Sequence, residues 1–214
     1  MKTMKLAEWS CAGLAGIALF ATGHAGAQSW PAKPVKMIVP YAPGGGADIT
    51  ARVISQLLAS RLGQQVVVDN RAGGGGNIAT ELVVKSPADG YTLYMATVGQ
   101  VSINQHMYDK LPFDPVKDLA PITPAGLPVN VLNVHPSLPV KNVKEFIALA
   151  KAQPGKLNFA TGGIGASDHM ATELFMSMTG VKMVHVPYKG GGPAIVDLIA
   201  GNRSEEHTSE LQSH

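Results

Sequence analysis

From Val35 onward the chain alternates short apolar runs, glycine-rich junctions and amphipathic stretches. Val35-Lys36-Met37-Ile38-Val39 has strand composition and is bounded by Pro40. Beyond Pro43-Gly44-Gly45-Gly46, the residues Ile49, Val53, Leu57, Leu58 and Leu62 fall on one face of a helix that Gly63 ends. Val66-Val67-Val68 predicts a second strand, uniformly apolar as in a parallel sheet covered on both faces. Residues 71–76 are again glycine-rich, and Asn77 is placed to cap a helix running through Val84. Pro87-Ala88-Asp89-Gly90 has turn chemistry, and residues 91–96 predict a third strand.

Pro112, Pro115, Pro121, Pro124 and Pro128 exclude regular helix or central strand from the next stretch, which reads as the passage to a second domain. The pattern then resumes with a strand over 129–134. Asn142 and Glu145 form a capping-box-like start to a helix with Val143, Phe146, Ile147 and Ala150 inward. Residues 157–160 predict a strand, 161–165 a glycine loop, and Ser167 the cap of a helix burying Met170, Leu174, Phe175 and Met178. Residues 183–186 predict a further strand, after which Gly190-Gly191-Gly192 opens a helix through Ala200. Strand, glycine loop and helix repeat in order, which predicts an α/β fold with parallel sheets and right-handed crossovers.

The termini differ from this body. Lys2 and Lys5, the apolar residues 11–22 and Ala25-Gly26-Ala27 predict a signal peptide over 1–27, cleaved after Ala27. The apolar part falls short of the ~20 residues that span a bilayer. Residues 203–214 match an in-frame translation of a sequencing adapter and read as non-native. The intervening residues 28–202 carry 14 basic and 11 acidic side chains, a net charge of +3, with no basic run of the kind that marks nucleic-acid binding. Cys11, the single cysteine, falls in the predicted signal, so the mature chain offers no disulfide, thiolate metal site or cysteine nucleophile.

The glycine loops are the candidate chemistry. Each ends a strand and opens a helix, and unpaired N–H groups plus the helix dipole favour an anion there. Tight βα turns alone would also explain the glycines; their recurrence in both halves favours one ligand cleft. Gly74, Gly76 and Ala79 fit G-x-G-x-x-A, but no acidic residue follows where a ribose would need it. Gly165-Ala166-Ser167-Asp168-His169 approaches a nucleophile motif, so an exported hydrolase or transferase using Ser167 and His169 is the alternative reading. His169 and Glu173 are two metal-type ligands without a third, and no cofactor is expected.

The residues Trp30-Pro31-x-Lys33-Pro34-Val35, Val39-Pro40-Tyr41-x-Pro43-Gly44-Gly45-x-x-Asp48, Asn70-Arg71-x-Gly73-x-Gly75-Gly76 and Ala88-Asp89-Gly90-Tyr91-Thr92-Leu93 occur in order, as do the loop 162–169, Glu173 and Val186-Pro187-Tyr188-Lys189-Gly190. Over 30–202 the chain resembles the Bug family of periplasmic receptors, the tricarboxylate-binding proteins of tripartite tricarboxylate transporters. The resemblance implies a type II periplasmic binding protein fold, with lobe 1 over 28–127 and an incomplete lobe 2 over 128–202. It implies a periplasmic receptor, not an enzyme, that takes a di- or tricarboxylate or an acidic amino acid and serves two membrane transporter subunits. Carried over by position, Tyr41, Pro43, Gly44, Gly45 and Asp48 hold one end of the ligand. Thr161, Gly162, Gly165, Ser167 and His169 hold the other, with Thr97 and Gly99 nearby. Ala166 departs from the family, which usually has Ser or Thr there. Asp48 has two readings: a first-turn acid complementing its helix dipole, or an acceptor for a ligand amino or hydroxyl group or a bridging water.

Overall fold

The computed structural model describes residues 29–201; the predicted signal segment 1–27 and the tail 203–214 lie outside the described residues. Two small parallel sheets organise residues 33–201. In the first, β1 (Val35–Val39) pairs on one side with β2 (Val66–Asn70) and on the other with β3 (Thr92–Tyr94), giving the order β2-β1-β3. In the second, β4 (Asn158–Thr161) pairs with β5 (Val184–Pro187). Both are parallel, as the repeating pattern predicts.

The helices follow from the same pattern. α1 (Gly46–Leu62) links β1 to β2 and ends at Gly63, whose φ of 66° lets its N–H return to the Ala59 carbonyl. α2 (Asn77–Val84) links β2 to β3, so the chain crosses from one side of β1 to the other. Strand order reverses at β1, and ligands of open α/β sheets lie beyond the carboxyl ends at such a point. A π-helical turn (Gly99–Ile103) runs into the short α3 (Asn104–Met107). α4 (Val143–Ala152) is capped as its sequence predicts: the Asn142 side chain accepts from the Glu145 N–H at 3.0 Å, while Glu145 accepts from the Lys141 N–H at 2.7 Å. α5 (Ser167–Thr179) joins β4 to β5, and α6 (Gly191–Ala200) follows β5.

Each sheet has its own core. Met37, Val39, Ala51 and Met95 centre the first, with Ala47, Ile54, Leu58, Val66 and Val68 against them. Phe146, Ala150, Leu157, Phe159 and Val181 centre the second, joined by Phe175 and Met176. Fully burying a Phe or Leu side chain contributes about 1.5–3 kcal/mol, so these few residues dominate local stability.

Four sequence expectations are corrected here. α1 turns Ala47, Ala51, Ile54 and Leu58 to the sheet, whereas Ile49, Val53 and Leu57 are 54–63% exposed. Small alanines let this face of the helix lie close to the sheet, with Ala51 fully buried. α5 likewise packs through Phe175 and Met176, leaving Leu174 61% and Met178 78% exposed. The strand expected over 129–134 does not form: between Pro128 and Pro136 the chain has no regular strand, and only an isolated bridge occurs at Asn133. The caps also shift by one residue, to Gly76 for α2 and Ala166 for α5, with Asn77 and Ser167 becoming first helical residues.

The two faces of α1 give a direct check. Leu57→Lys is expected to move stability by no more than about 0.5 kcal/mol, and Leu58→Ala to cost about 2–4 kcal/mol, as urea midpoints would report. Equal costs would mean the helix faces the other way.

Candidate functional site

All five strands end towards one region, and the loops that leave them touch. The first is Tyr41 to Gly45. Its Ala42 N–H donates to the Lys189 carbonyl at 2.7 Å, tying it to the loop after β5. A Cβ on Gly192 would stand 2.5 Å from the Pro43 carbonyl oxygen and 3.2 Å from the Gly45 nitrogen. Here only glycine permits the backbones to approach so closely. A Cβ on Gly45 and one on Gly162 would each lie 3.3 Å from the same atom, the Gly191 nitrogen. The loop after β1 (41–45) and the loop after β4 (161–165), the first and second glycine loops of the site, therefore meet at one point, with the loop after β5 between them.

That point gathers three helix N-termini. α1, α5 and α6 begin at Gly46, Ser167 and Gly191, and none has a side-chain cap. The amides of Gly46 and Ala47, of Ser167 and Asp168, and of Gly192 have no preceding turn to accept their hydrogen bonds. Three positive dipole ends pointing together favour an anion more than one does.

Two expected donors are already engaged by the protein's own carboxylates. Asp48 Oδ2 accepts from the Gly44 N–H at 2.9 Å and from Arg52 Nε at 3.0 Å; its Oδ1 accepts from Asn70 Nδ2 at 2.9 Å and faces Arg52 Nη2 at 3.0 Å. Asn70 also donates to the Tyr41 carbonyl at 2.9 Å. Burial alone would raise the Asp48 pKa, but hydrogen bonds from Arg52, Gly44 and Asn70 and the Arg52 charge outweigh it, so the group is held below the ordinary carboxylate range. Asp48 is thus a buried anchor for the first loop, and each oxygen already has two partners. Asp168 does the same for the second: it accepts from the Gly162 N–H at 2.6 Å and the His169 N–H at 3.0 Å. Burial pushes its pKa up, with those two N–H groups pulling the other way.

Tyr41 and Thr97, far apart in sequence, hydrogen-bond at 3.0 Å between hydroxyls. Gln100 binds both: its Oε1 accepts from Thr97 N–H and Oγ1, and its Nε2 donates to Tyr41 Oη at 3.2 Å and the Gly75 carbonyl at 2.8 Å. Burial raises the Tyr41 pKa against these bonds, so the phenol stays protonated at neutral pH. Asn104, one turn on, donates to the Gly75 carbonyl at 3.0 Å and Asn77 Oδ1 at 2.6 Å. Both amides are fully buried. Gly99 and Gly165 close this side, a Cβ on Gly99 standing 2.9 Å from the Gly165 carbonyl oxygen.

Most expected residues therefore converge: Tyr41, Pro43, Gly44, Gly45, Thr97, Gly99, Thr161, Gly162 and Gly165 line the meeting loops. Ser167 and His169 behave differently. Ser167 Oγ lies 3.5 Å from Asn130 Oδ1, while His169 Nδ1 accepts from the Gly165 N–H at 3.2 Å and its Nε2 faces Glu173 at 3.7 Å. Neither imidazole nitrogen serves the serine, so the nucleophile–base pair of the hydrolase reading is not assembled. Among the described residues no three His, Cys, Asp or Glu side chains gather as a metal site. Sequence reading missed Gln100, Asn104 and Asp168 as site residues, and held Gly191–Gly192 only as part of a candidate glycine loop, not among the ligand-holding residues. The first two carried a signal: amides four apart immediately after a glycine share one helix face.

Residues 50–210 match the model of the tripartite tricarboxylate transporter family receptor. Protein BugT of Bordetella pertussis is 42% identical over 82% of this chain and 54% of its own length. Among solved structures, R. palustris Rpa4515 with adipate aligns with a TM-score of 0.74 and 38% identity, over 86% of this chain and 60% of that one. MatC (Rpa3494) from Rhodopseudomonas palustris with bound malate aligns with a TM-score of 0.70 and 29% identity, over 81% and 59%. The chain spans about half the length of the curated relatives it matches. With this fold, these loops and that match, the chain belongs to the tripartite tricarboxylate transporter receptor family, whose members are periplasmic solute-binding proteins and not enzymes.

Proposed function

We propose that this chain forms the ligand-gripping part of an exported receptor for a small organic carboxylate. One observation carries the reading: Gly45 and Gly162 both abut the Gly191 nitrogen, so the starts of three helices without side-chain caps lie close together. Main-chain N–H groups, not arginines, then supply the donors, and Arg52 is already paired with Asp48. The residues taking part are Tyr41, Pro43, Gly44, Gly45, Thr97, Gly99, Thr161, Gly162 and Gly165, with Asp48 and His169 holding the loops and Ser167 at the outer rim. Residues 28–127 serve as lobe 1 and 128–202 as part of lobe 2, after signal cleavage behind Ala27. Adipate in Rpa4515 and malate in MatC support a dicarboxylate of four to six carbons, delivered to two membrane subunits.

Calorimetric titration against malate, succinate, adipate, citrate, aspartate and glutamate tests the reading. Saturable binding of at least one dicarboxylate is expected; silence across the panel from folded protein overturns it.

A further inference from the structure

Beneath the second glycine loop lies a stack of three rings. Phe159 of β4 faces His185 of β5 at 4.8 Å between ring centres and 14° between planes. His185 in turn faces His169 of α5 at 4.1 Å and 11°. Each imidazole also holds one end of the loop above. His185 Nε2 hydrogen-bonds Thr161 Oγ1 at 2.6 Å, where the loop leaves β4. His169 Nδ1 accepts the Gly165 N–H at 3.2 Å, where the loop enters α5.

We propose that His185 and His169 together position the loop 161–165 for its ligand, and that the loop keeps this shape only while both rings are uncharged. The inference rests on the receptor reading above. Its physical basis is the bonding pattern. Because Nδ1 of His169 accepts a hydrogen bond, the neutral ring carries its proton on Nε2, the nitrogen facing Glu173. A second proton must go to Nδ1, turning an acceptor into a donor aimed at the Gly165 N–H. Two charged rings 4.1 Å apart would also repel.

The surroundings set the direction. Glu173 and Asp168, both on α5, face His169 and favour its protonation; β4 contributes the uncharged Phe159 and Thr161, and β5 the second imidazole. Burial outweighs the two carboxylates and holds the His169 pKa below its ordinary value. Burial, then the neighbouring His169, pushes His185 down to about 4. A histidine whose pKa is lowered by folding stabilises the neutral arrangement fully above about pH 6.5, and loses that contribution as pH falls towards the folded value.

The test is calorimetric titration with malate and adipate between pH 7.5 and 3.5, a range that spans the His185 titration, on the whole chain and on His185→Phe, which keeps a stacked ring but cannot ionise. The expected result is an affinity loss of at least about tenfold in the parent over this range, with a clearly shallower slope in the variant. A parent affinity that does not change, or a variant with the parent's slope, overturns the proposal; a purely structural histidine would weaken binding equally at every pH. A ligand-free measurement decides the matter if the variant misfolds or if no carboxylate binds. In NMR spectra of the parent, the Gly165 amide is expected to shift with the His169 ring titration, and an amide that ignores it overturns the proposal. Failure of every carboxylate at every pH, with the amide still tracking the ring, would sink the receptor reading and leave the positioning role standing.

Discussion

Gly192→Ala is expected to weaken carboxylate binding about a hundredfold, a loss of about 2.7 kcal/mol. The added Cβ would sit 2.5 Å from the Pro43 carbonyl oxygen, 3.1 Å from the Gly44 carbonyl carbon and 3.2 Å from the Gly45 nitrogen. All three are main-chain atoms, so no side chain can swing aside. The start of α6 must back away from the start of α1, and the converging N–H groups separate. Overpacking of this kind costs about 1–3 kcal/mol of stability, so the protein should still fold. Gly126→Ala serves as the comparison, because nothing lies within 4 Å of a Cβ there. Side-by-side titration with malate and adipate checks the pair. Undiminished affinity in Gly192→Ala would show that contact of these loops is irrelevant to ligand capture.

Phe159→Ala should be the most destabilising single change in the second sheet, costing about 3–5 kcal/mol. The ring is completely buried in the cluster of Phe146, Ala150, Leu157 and Val181, and it also backs the His185 imidazole at 4.8 Å. Its removal leaves a cavity bounded by strand and helix backbone that cannot collapse onto it. Total stabilities of domains are typically about 5–15 kcal/mol, so the loss takes a large share. Urea or thermal unfolding followed by circular dichroism reads it. A cost under about 1 kcal/mol would mean that β4 does not carry this core.

The fold and the meeting of the glycine loops were legible because both rest on backbone rules. Strand, glycine and helix recur at regular spacing, and parallel connection brings the loops after β1 and β3 to one end of the first sheet and those after β4 and β5 to one end of the second. The facing of α1 and α5 was not legible, for one shared reason. The buried stripe of α1 starts at Asp48, and that of α5 at Asp168 and His169. Those polar residues turn inward because they reach back to Gly44, Gly162 and Gly165. Hydrophobicity therefore pointed to Ile49, Val53, Leu57, Leu174 and Met178, while the loop anchors set the rotation. The strand expected over 129–134 failed differently: its apolar composition was right, but among the described residues it joins neither sheet and pairs only through the bridge at Asn133. The pairing of Tyr41 with Thr97, 56 residues apart, depends on register across β1 and β3 that no local pattern encodes.

Because every loop of the proposed site leaves a carboxyl end, the opposite end of both sheets is released from that duty. There the chain turns through Gly63 before β2, Gly90 before β3 and Gly155 before β4, and a Cβ on Gly63 or Gly155 would meet nothing within 4 Å. Those turns are the natural sockets for grafted sequence: a peptide tag or a reporter domain spliced in there would ride on the scaffold without crowding the grip, and length variation between related receptors has its least costly home at the same bends.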